Sequence, residues 1–338
     1  MESYRIGILI KEFRIRKDIS QEELSFDLCA ASTLSKIENG EQVPSRKLVE
    51  AIFSKLGFDL PAFSVEISDT ERKKLRIERK IKEMVANNDY SYGMFLTAYQ
   101  KLGEITEFEK QFLIFYESLK NKHSGHPLDE ILQSEIKALH LTAKSLDLEK
   151  LPSEIRLTNI EENIIEEIGE NLRKVGKKED SKRILRFLFE HFLKNKTNEF
   201  FNEKCFASCI INLSTLESDD GNFCELLELS EEGTRLCKKT GSIAHFSDFL
   251  IFNSISLFKL GNETEGTKKL RQALSLLSYT DKEKIPGTIL KLKRKFGINL
   301  NSADFVEIIP RAHVHENAEM LPKPFHECQI KSDSECAS

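Results

Sequence analysis

Apolar residues recur along most of the chain at spacings of three and four, which is the pattern of amphipathic α-helices. Near the start, Ile6, Leu9, Ile10 and Phe13 follow this spacing. Residues that cap or stop helices separate one such stretch from the next. The pattern therefore predicts an all-α protein.

The first 62 residues form one unit in this pattern, with four to five short helices. Ser20 and Glu23 have the spacing of a capping box, which predicts a helix start at Gln21. Glycine and proline mark the later boundaries. The predicted helices run from Ile6 to near Ile15, from Gln21 through Leu28, from Ser32 to Glu38 before Gly40, and from Pro44 and Ser45 to Gly57.

The third of these helices, residues 32–38, has a polar face beside its apolar one. Leu34 and Ile37 have the spacing of a buried face. Hydroxyls and one cation on the other face suit the major groove of DNA, although a solvated helix face is the alternative. The groove-facing candidates are Ser32, Thr33, Ser35 and Lys36, and the cations expected to hold the flanking DNA backbones are Arg14, Arg16, Lys17, Arg46 and Lys47.

Beyond the first unit, the pattern consists of helix pairs. A charge-dense connector helix is predicted over 63–78, and helical hairpins over 79–305. Breaks near 176, 220 and 261 recur with a period of about 40 residues, which is typical of an α-solenoid. We predict about five hairpins resembling tetratricopeptide repeats, with an irregular helical bundle as the alternative.

A solenoid has a concave side that can hold an extended peptide. Asparagine amides both donate and accept hydrogen bonds, so they can pair with a peptide backbone of any sequence. The candidate peptide-binding residues are Asn163, Asn171, Phe206, Asn212, Phe246, Phe249 and Asn253.

Charge and composition narrow the possible functions. The net charge is −5, and the first 60 residues hold nine Lys and Arg against ten Asp and Glu, so no basic excess indicates a nucleic-acid partner. Seven scattered cysteines favour free thiols in a reducing compartment. We found no signal-peptide core and no membrane-spanning run, and we expect a cytoplasmic protein.

The last segment, residues 306–338, has no helical period, and we expect it to be disordered. It holds His313, His315, His326 and Cys328, residue types that bind zinc, but their spacing matches no standard structural site. We therefore predict no metal and no cofactor. The chain also has no glycine-rich phosphate loop, H-E-x-x-H or G-x-S-x-G motif, so we do not expect an enzyme.

The segment "SQEELSFDLCAASTLSKIENGEQVPS" resembles the helix-turn-helix of phage-repressor-type (XRE/Cro) regulators. The resemblance implies that Gln21 bonds a DNA phosphate and that Ala31, Ser32, Thr33 and Lys36 face the groove. We interpret Glu38 as structural, holding Arg14 or a backbone amide.

Together with the helix pairs, this segment resembles the peptide-pheromone receptors of Gram-positive bacteria, the Rap/Rgg/NprR/PlcR/PrgX (RRNPP) family, and within it the PlcR-type members. The resemblance implies a homodimeric quorum-sensing regulator that binds an inverted-repeat operator in double-stranded DNA. It also implies that the repeats bind a short signalling peptide, with Asn212 and Asn253 clamping the peptide backbone.

Two other functions stay open. One is a repressor of the phage or toxin-antitoxin type whose helical repeats dock a protein partner. The other is a helical adaptor whose first domain no longer binds DNA.

Overall fold

The computed structural model describes residues 2–58, 68–195 and 201–298. These residues form helices joined by turns, with no β-strand among them, and the all-α prediction is confirmed. The helices are α1 (Glu2–Arg16), α2 (Gln21–Ser25), α3 (Ala31–Glu38), α4 (Arg46–Lys55), α5 (Asp69–Ala86), α6 (Gly93–Gln100), α7 (Glu107–His123), α8 (Leu128–His140), α9 (Asn159–Lys174), α10 (Lys178–Asn195), α11 (Glu203–Asp220), α12 (Phe223–Thr240), α13 (Phe246–Lys259), α14 (Glu263–Thr280) and α15 (Lys284–Phe296).

Helices α1 to α4 form the head, a small bundle around one apolar core. The fully buried side chains of this core are Ile10, Leu24, Leu34, Ile37, Ile52 and Leu56. Helix α1 crosses α3 so closely that a Cβ atom on Gly7 would lie 2.0 Å from the Ile37 carbonyl oxygen. Four helices too short to persist alone are thus held together by one shared core.

The ends of the head helices agree with the sequence in most places. The Ser20 hydroxyl accepts from the Glu23 amide, Ser45 caps α4, and Gly40 and Gly57 have the left-handed conformation of helix stops. Helix α2 ends at Ser25 rather than Leu28, because the backbone leaves the helical region at Phe26, whose ψ is 128°, and Asp27 follows with a φ of 59°. A residue in that conformation cannot continue an α-helix.

The predicted hairpins are present as antiparallel pairs. Helices α7 and α8, α9 and α10, and α11 and α12 pack within pairs, and the pairs contact their neighbours in order. Helices α5 and α6 come before them, and α13 packs on α14. Gly176, Gly221 and Gly261 form the turns that the sequence pattern indicated. The fold is therefore a helix-turn-helix head followed by helix pairs that resemble tetratricopeptide repeats.

The chain divides into two compact units, Met1–Thr240 and Gly241–Ser338. The first holds the head and helices α5 to α12, and the second holds α13 to α15. The expected boundary at 78 falls inside α5, whose capping box begins at Ser68. The expected tail, 306–338, with the four His and Cys residues weighed for zinc, lies outside the described residues.

We call helices α5 to α12 the body of the first unit. Buried ions join the head to the first helices of this body. Arg46 and Lys47 of α4 lie 2.9 Å and 2.8 Å from the carboxylate oxygens of Glu78 on α5. The Tyr99 hydroxyl donates to Glu78 at 2.7 Å. Burial by itself would raise the pKa of Glu78, but the charges of Lys47 and Arg46 lower it to about 2.

No helix among the described residues is long and apolar enough to cross a bilayer.

We expect Glu78→Gln to destabilise the first unit by about 3 kcal/mol at pH 7, because two buried cations lose their counter-ion. The folded pKa lies below the ordinary value of 4.5, so ionised Glu78 stabilises the fold above pH 4.5 and this contribution is lost as the pH falls towards 2. The deficit of the variant should therefore shrink on acidification below pH 4.5.

Urea denaturation of both proteins across this pH range measures the effect. Glu83→Gln, an exposed change on the same helix, is the control and should have almost no effect. Equal stability of Glu78→Gln and wild type at pH 7 would contradict the role of Glu78 as the counter-ion of Arg46 and Lys47.

Candidate functional site

The outer face of α3 is open in the first unit. Ser32 and Lys36 are exposed, Thr33 and Ser35 are half-buried beside them, and Leu34 faces the core. Ala31, also half-buried, is the first residue of the helix. The predicted hydroxyls and ammonium group thus lie along one side of a helix whose other side is anchored.

A single carboxylate anchors this helix. Glu38, whose side chain is 0% exposed, accepts from Arg14 at 2.7 Å and 2.9 Å and from the Gln21 amide at 2.7 Å. Arg14 also donates to the Ile19 carbonyl at 2.8 Å. The hydrogen bond that Arg14 donates to Glu38 raises the pKa of Arg14. These bonds join α1, α2 and α3, and the interpretation that Glu38 holds Arg14 is confirmed.

Three of the five cations expected on the DNA backbone are instead bonded within the protein. Arg14 is paired with Glu38, while Arg46 is buried between Glu50 and Glu78. Lys47 contacts the same two glutamates. We correct the expectation for these three, because a buried ion pair costs several kcal/mol to separate.

The two other cations lie at the end of α1. Arg16 is exposed, with its guanidinium 5.7 Å from the Phe13 ring centroid. Lys17 is half-buried, with its ammonium 4.9 Å from the Phe58 ring. The Gln21 amide nitrogen, expected on a phosphate, is the group bonded to Glu38.

The body contacts the head near α2 through pairs that the sequence pattern did not indicate. The Ser145 hydroxyl donates to Asp27 at 2.5 Å, and Arg156 lies 2.9 Å from Glu23. These partners are more than one hundred residues apart, and no local pattern pairs them.

The peptide-binding candidates in the core do not line an open groove. Asn171 donates to both Glu135 oxygens, at 3.0 Å and 2.9 Å. Asn212 donates to Glu166 at 2.7 Å. Phe206 and Phe249 are among the fully buried core side chains. We correct the expectation for these four, since their polar atoms are bonded inside the protein or their rings fill the core.

The other candidates differ in their positions. Asn253 is buried within α13, and Phe246, half-buried, begins the same helix. Asn163 on α9 lines a cavity of about 310 Å³ and accepts from Asn202 at 3.2 Å.

The Asn163 cavity lies between α4, α5, α7 and α9. Its wall combines cations, amides and aromatic rings, a lining able to bind both the polar backbone and the apolar side chains of a ligand. The lining residues include Lys47, Glu78, Arg79, Lys82, Phe108, Gln111, Phe112, Tyr116 and Asn163.

A larger cavity of about 650 Å³ lies between α2, α4, α10 and residues 152–156. Phe26, Phe187 and His191 contribute to its wall. Both cavities thus have head residues on one side and body residues on the other.

Two buried carboxyls lie between the helix pairs. Burial raises the pKa of Glu135 on α8 and of Glu166 on α9 to about 8 in each case. Asn171 and Ser118 contact the first, and Asn212 and Ser208 the second. Both are therefore mainly protonated at neutral pH.

Comparison with known proteins agrees with this architecture. Residues 10–63 match the helix-turn-helix family model. Apo PlcR from Bacillus thuringiensis is 19% identical, with a TM-score of 0.50, over 85% of this chain and 99% of that chain. No curated protein matches the chain.

Two further solved structures are similar at a lower score. PlcR from Bacillus thuringiensis in complex with the peptide PapR7 and DNA has a TM-score of 0.49 at 17% identity, over 83% of this chain and 98% of that one. Apo ComR from Streptococcus vestibularis has a TM-score of 0.45 at 18% identity, over 88% of this chain and 100% of that one. The expected resemblance is confirmed, since the chain has a helix-turn-helix domain and the fold of PlcR.

We expect Arg14→Ala to destabilise the first unit by about 3 kcal/mol, because it leaves the buried Glu38 carboxylate without its cation. Arg16→Ala, two residues further along the same helix and exposed, is the matched control and should change stability by less than about 0.5 kcal/mol. Thermal denaturation followed by circular dichroism measures both. Similar losses in the two variants would show that Glu38 does not depend on Arg14.

We expect Glu135→Gln to remove part of the pH dependence of stability. Because the folded pKa of Glu135 is raised to about 8 from 4.5, its protonated form stabilises the fold below pH 4.5, and this contribution is lost as the pH rises through 8. Glutamine cannot ionise, so the variant should gain on the order of 3 kcal/mol relative to wild type between pH 5 and pH 8.

Urea denaturation at those two pH values measures the gain. Glu130→Gln, exposed on the same helix, should show none. A constant difference between Glu135→Gln and wild type across this range would contradict the raised pKa.

Proposed function

We propose that the protein is a cytoplasmic transcriptional regulator of the quorum-sensing type, which binds double-stranded DNA as a homodimer through α3. The observation that carries the proposal is the open polar face of α3, with Ser32 and Lys36 exposed. The helix is held from behind by Glu38, Arg14 and Gln21. A preorganised helix of this kind loses little conformational entropy when it enters the major groove.

The arrangement of the half-sites in the operator follows from the two-fold symmetry of a dimer. Two heads read an inverted repeat, with half-sites about 34 Å apart or a multiple of that distance. Small side chains at Ala30 and Ala31 make few base contacts, so Ser32, Thr33 and Lys36 carry the direct readout.

The ligand is a short peptide, and its proposed site is the Asn163 cavity. The Asn163 amide lies in its wall with the rings of Phe108 and Phe112, whereas the buried Gln111 amide donates to the Ala138 carbonyl and to Thr142. Amides suit a peptide backbone, and the aromatic rings suit apolar side chains.

Peptide binding in this cavity is coupled to the head. Lys47 and Glu78 line the cavity, and their ion pair also joins α4 to α5. If the head has two positions that differ in this ion pair, a peptide that binds one of them more tightly increases the population of that position. The size of the shift is set by the difference between the two affinities.

The second candidate is a repressor whose helix pairs dock a protein partner. The observation in its favour is that three large apolar side chains of the second unit are exposed, namely Ile243, Leu260 and Tyr279. Pull-down of a folded partner with loss on Tyr279→Ser, in the absence of any peptide affinity, would favour it.

For DNA binding, we expect the double variant Thr33→Ala, Lys36→Ala to bind its operator at least about tenfold more weakly, because a base or phosphate contact contributes about 1–3 kcal/mol. The operator is obtained by enriching a random duplex library on the full chain, and affinity is measured by fluorescence anisotropy. Lys137→Ala, an exposed change on α8, is the control. Unchanged affinity of the double variant would show that the head does not read the DNA.

For peptide binding, titration calorimetry of the full chain with synthetic short peptides from secreted precursors encoded beside its gene provides the test. We expect Asn163→Ala to weaken the best peptide by about tenfold, since one hydrogen-bond pair is lost from a partly closed site. Asn171→Ala is the comparison variant, because the sequence also predicted Asn171 to bind the peptide, whereas the structure bonds it to Glu135. A larger loss from Asn171→Ala, in a variant that stays folded, would move the site away from the Asn163 cavity.

A further inference from the structure

The last described helix, α15, has a strongly basic surface. Residues 281–295 hold six cations and two acids, Asp281 and Glu283, in a chain whose net charge is −5. All six cations are exposed. They are Lys282, Lys284, Lys291, Lys293, Arg294 and Lys295.

The geometry of α15 arranges several of these cations in a row. Lys284, Lys291 and Lys295 are seven and then four residues apart, which places them on one side of an α-helix over about 16 Å. Arg294 lies beside this row. The side about 100° further round the helix, with Ile285, is buried. The helix is therefore fixed by its apolar side and presents its charge to solvent.

Helix stability explains only part of this charge. Cations in the last turn of a helix interact favourably with the helix dipole, which accounts for Lys293, Arg294 and Lys295. Lys284 is in the first turn, where the dipole disfavours a cation. The ion pair of Lys284 with Asp281, 2.8 Å long, is exposed and contributes little. The basic surface as a whole thus indicates a polyanion partner.

The head supplies few cations for DNA. Of the five expected there, Arg14, Arg46 and Lys47 are bonded within the protein. Affinity for duplex DNA comes largely from the counterions that basic residues release from phosphates. Cations outside the head would therefore add to the affinity of a DNA-binding chain.

We propose that the exposed side of α15 binds the phosphate backbone of duplex DNA, as a second contact outside the helix-turn-helix. This inference rests on the proposed DNA-binding function. Binding at this surface does not depend on base sequence, because contacts of lysine and arginine with phosphates do not distinguish the bases.

A membrane surface fits the same charge less well. An amphipathic helix binds a bilayer by inserting its apolar side. In α15 that side, with Leu292 and Phe296, is buried in the second unit. Leu290, 40% exposed, is the apolar residue that α15 leaves most open.

The test uses the full chain with Lys284→Gln, Lys291→Gln and Arg294→Gln combined. The matched control is Lys137→Gln, Lys177→Gln and Lys204→Gln, three exposed lysines of the first unit with the same loss of charge. Fluorescence anisotropy measures affinity for an enriched duplex and for a scrambled duplex of equal length, across a series of salt concentrations.

We expect the α15 variant to bind both duplexes about tenfold more weakly at low salt, with the slope of log affinity against log salt reduced by about 2 to 3. The control should change neither. The variant Thr33→Ala, Lys36→Ala should instead lower the preference for the enriched duplex, so failure of the head and failure of α15 give different results.

A variant with Lys284→Arg and Lys291→Arg keeps the charge and should bind like wild type, and circular dichroism establishes that each protein is folded. Equal affinities and salt slopes for the α15 variant and the control would overturn the proposal. Loss of binding to phosphatidylserine vesicles without any loss on duplex DNA would overturn it in favour of a membrane surface.

Discussion

The buried carboxylate of Glu38 is the interaction on which the head depends. It accepts hydrogen bonds from Arg14 on α1 and Gln21 on α2 while it ends α3, so one residue fixes three short helices relative to each other. A carboxylate without exposure to water is costly unless it is paired and hydrogen-bonded, and here both conditions are met. The outer face of α3 can remain polar and open because its inner end is held in this way.

A second buried carboxylate, Glu78, has the same role between the head and the body. Arg46, Lys47 and Tyr99 converge on it from α4 and α6. Together with Asp27 and Ser145, these contacts make the position of the head dependent on the body of the first unit. Because these ions are buried, separating the head from the helices behind it costs several kcal/mol.

The distribution of charge has a consequence for DNA recognition. Cations that appear available for phosphate contacts in the sequence are used to bury Glu38 and Glu78. The exposed basic side of α15 concentrates positive charge in the second unit. In the proposed function, base readout and affinity for the DNA backbone are therefore supplied by different parts of the chain, since base contacts specify the sequence and phosphate contacts do not.

The sequence by itself determined the helical class, the head helix starts at Ser20 and Ser45, the stops at Gly40 and Gly57, and the hairpin turns at Gly176, Gly221 and Gly261. These are local features, set by the conformation and hydrogen bonds of a few adjacent residues. Only the tertiary structure decided which polar residues are available. Four residues are of types that often bind ligands or DNA, but each is bonded to a glutamate on another helix. They are Asn171, Asn212, Arg46 and Lys47. Helical spacing shows which side of a helix a residue occupies, whereas its partner depends on how distant helices pack, which no local pattern records.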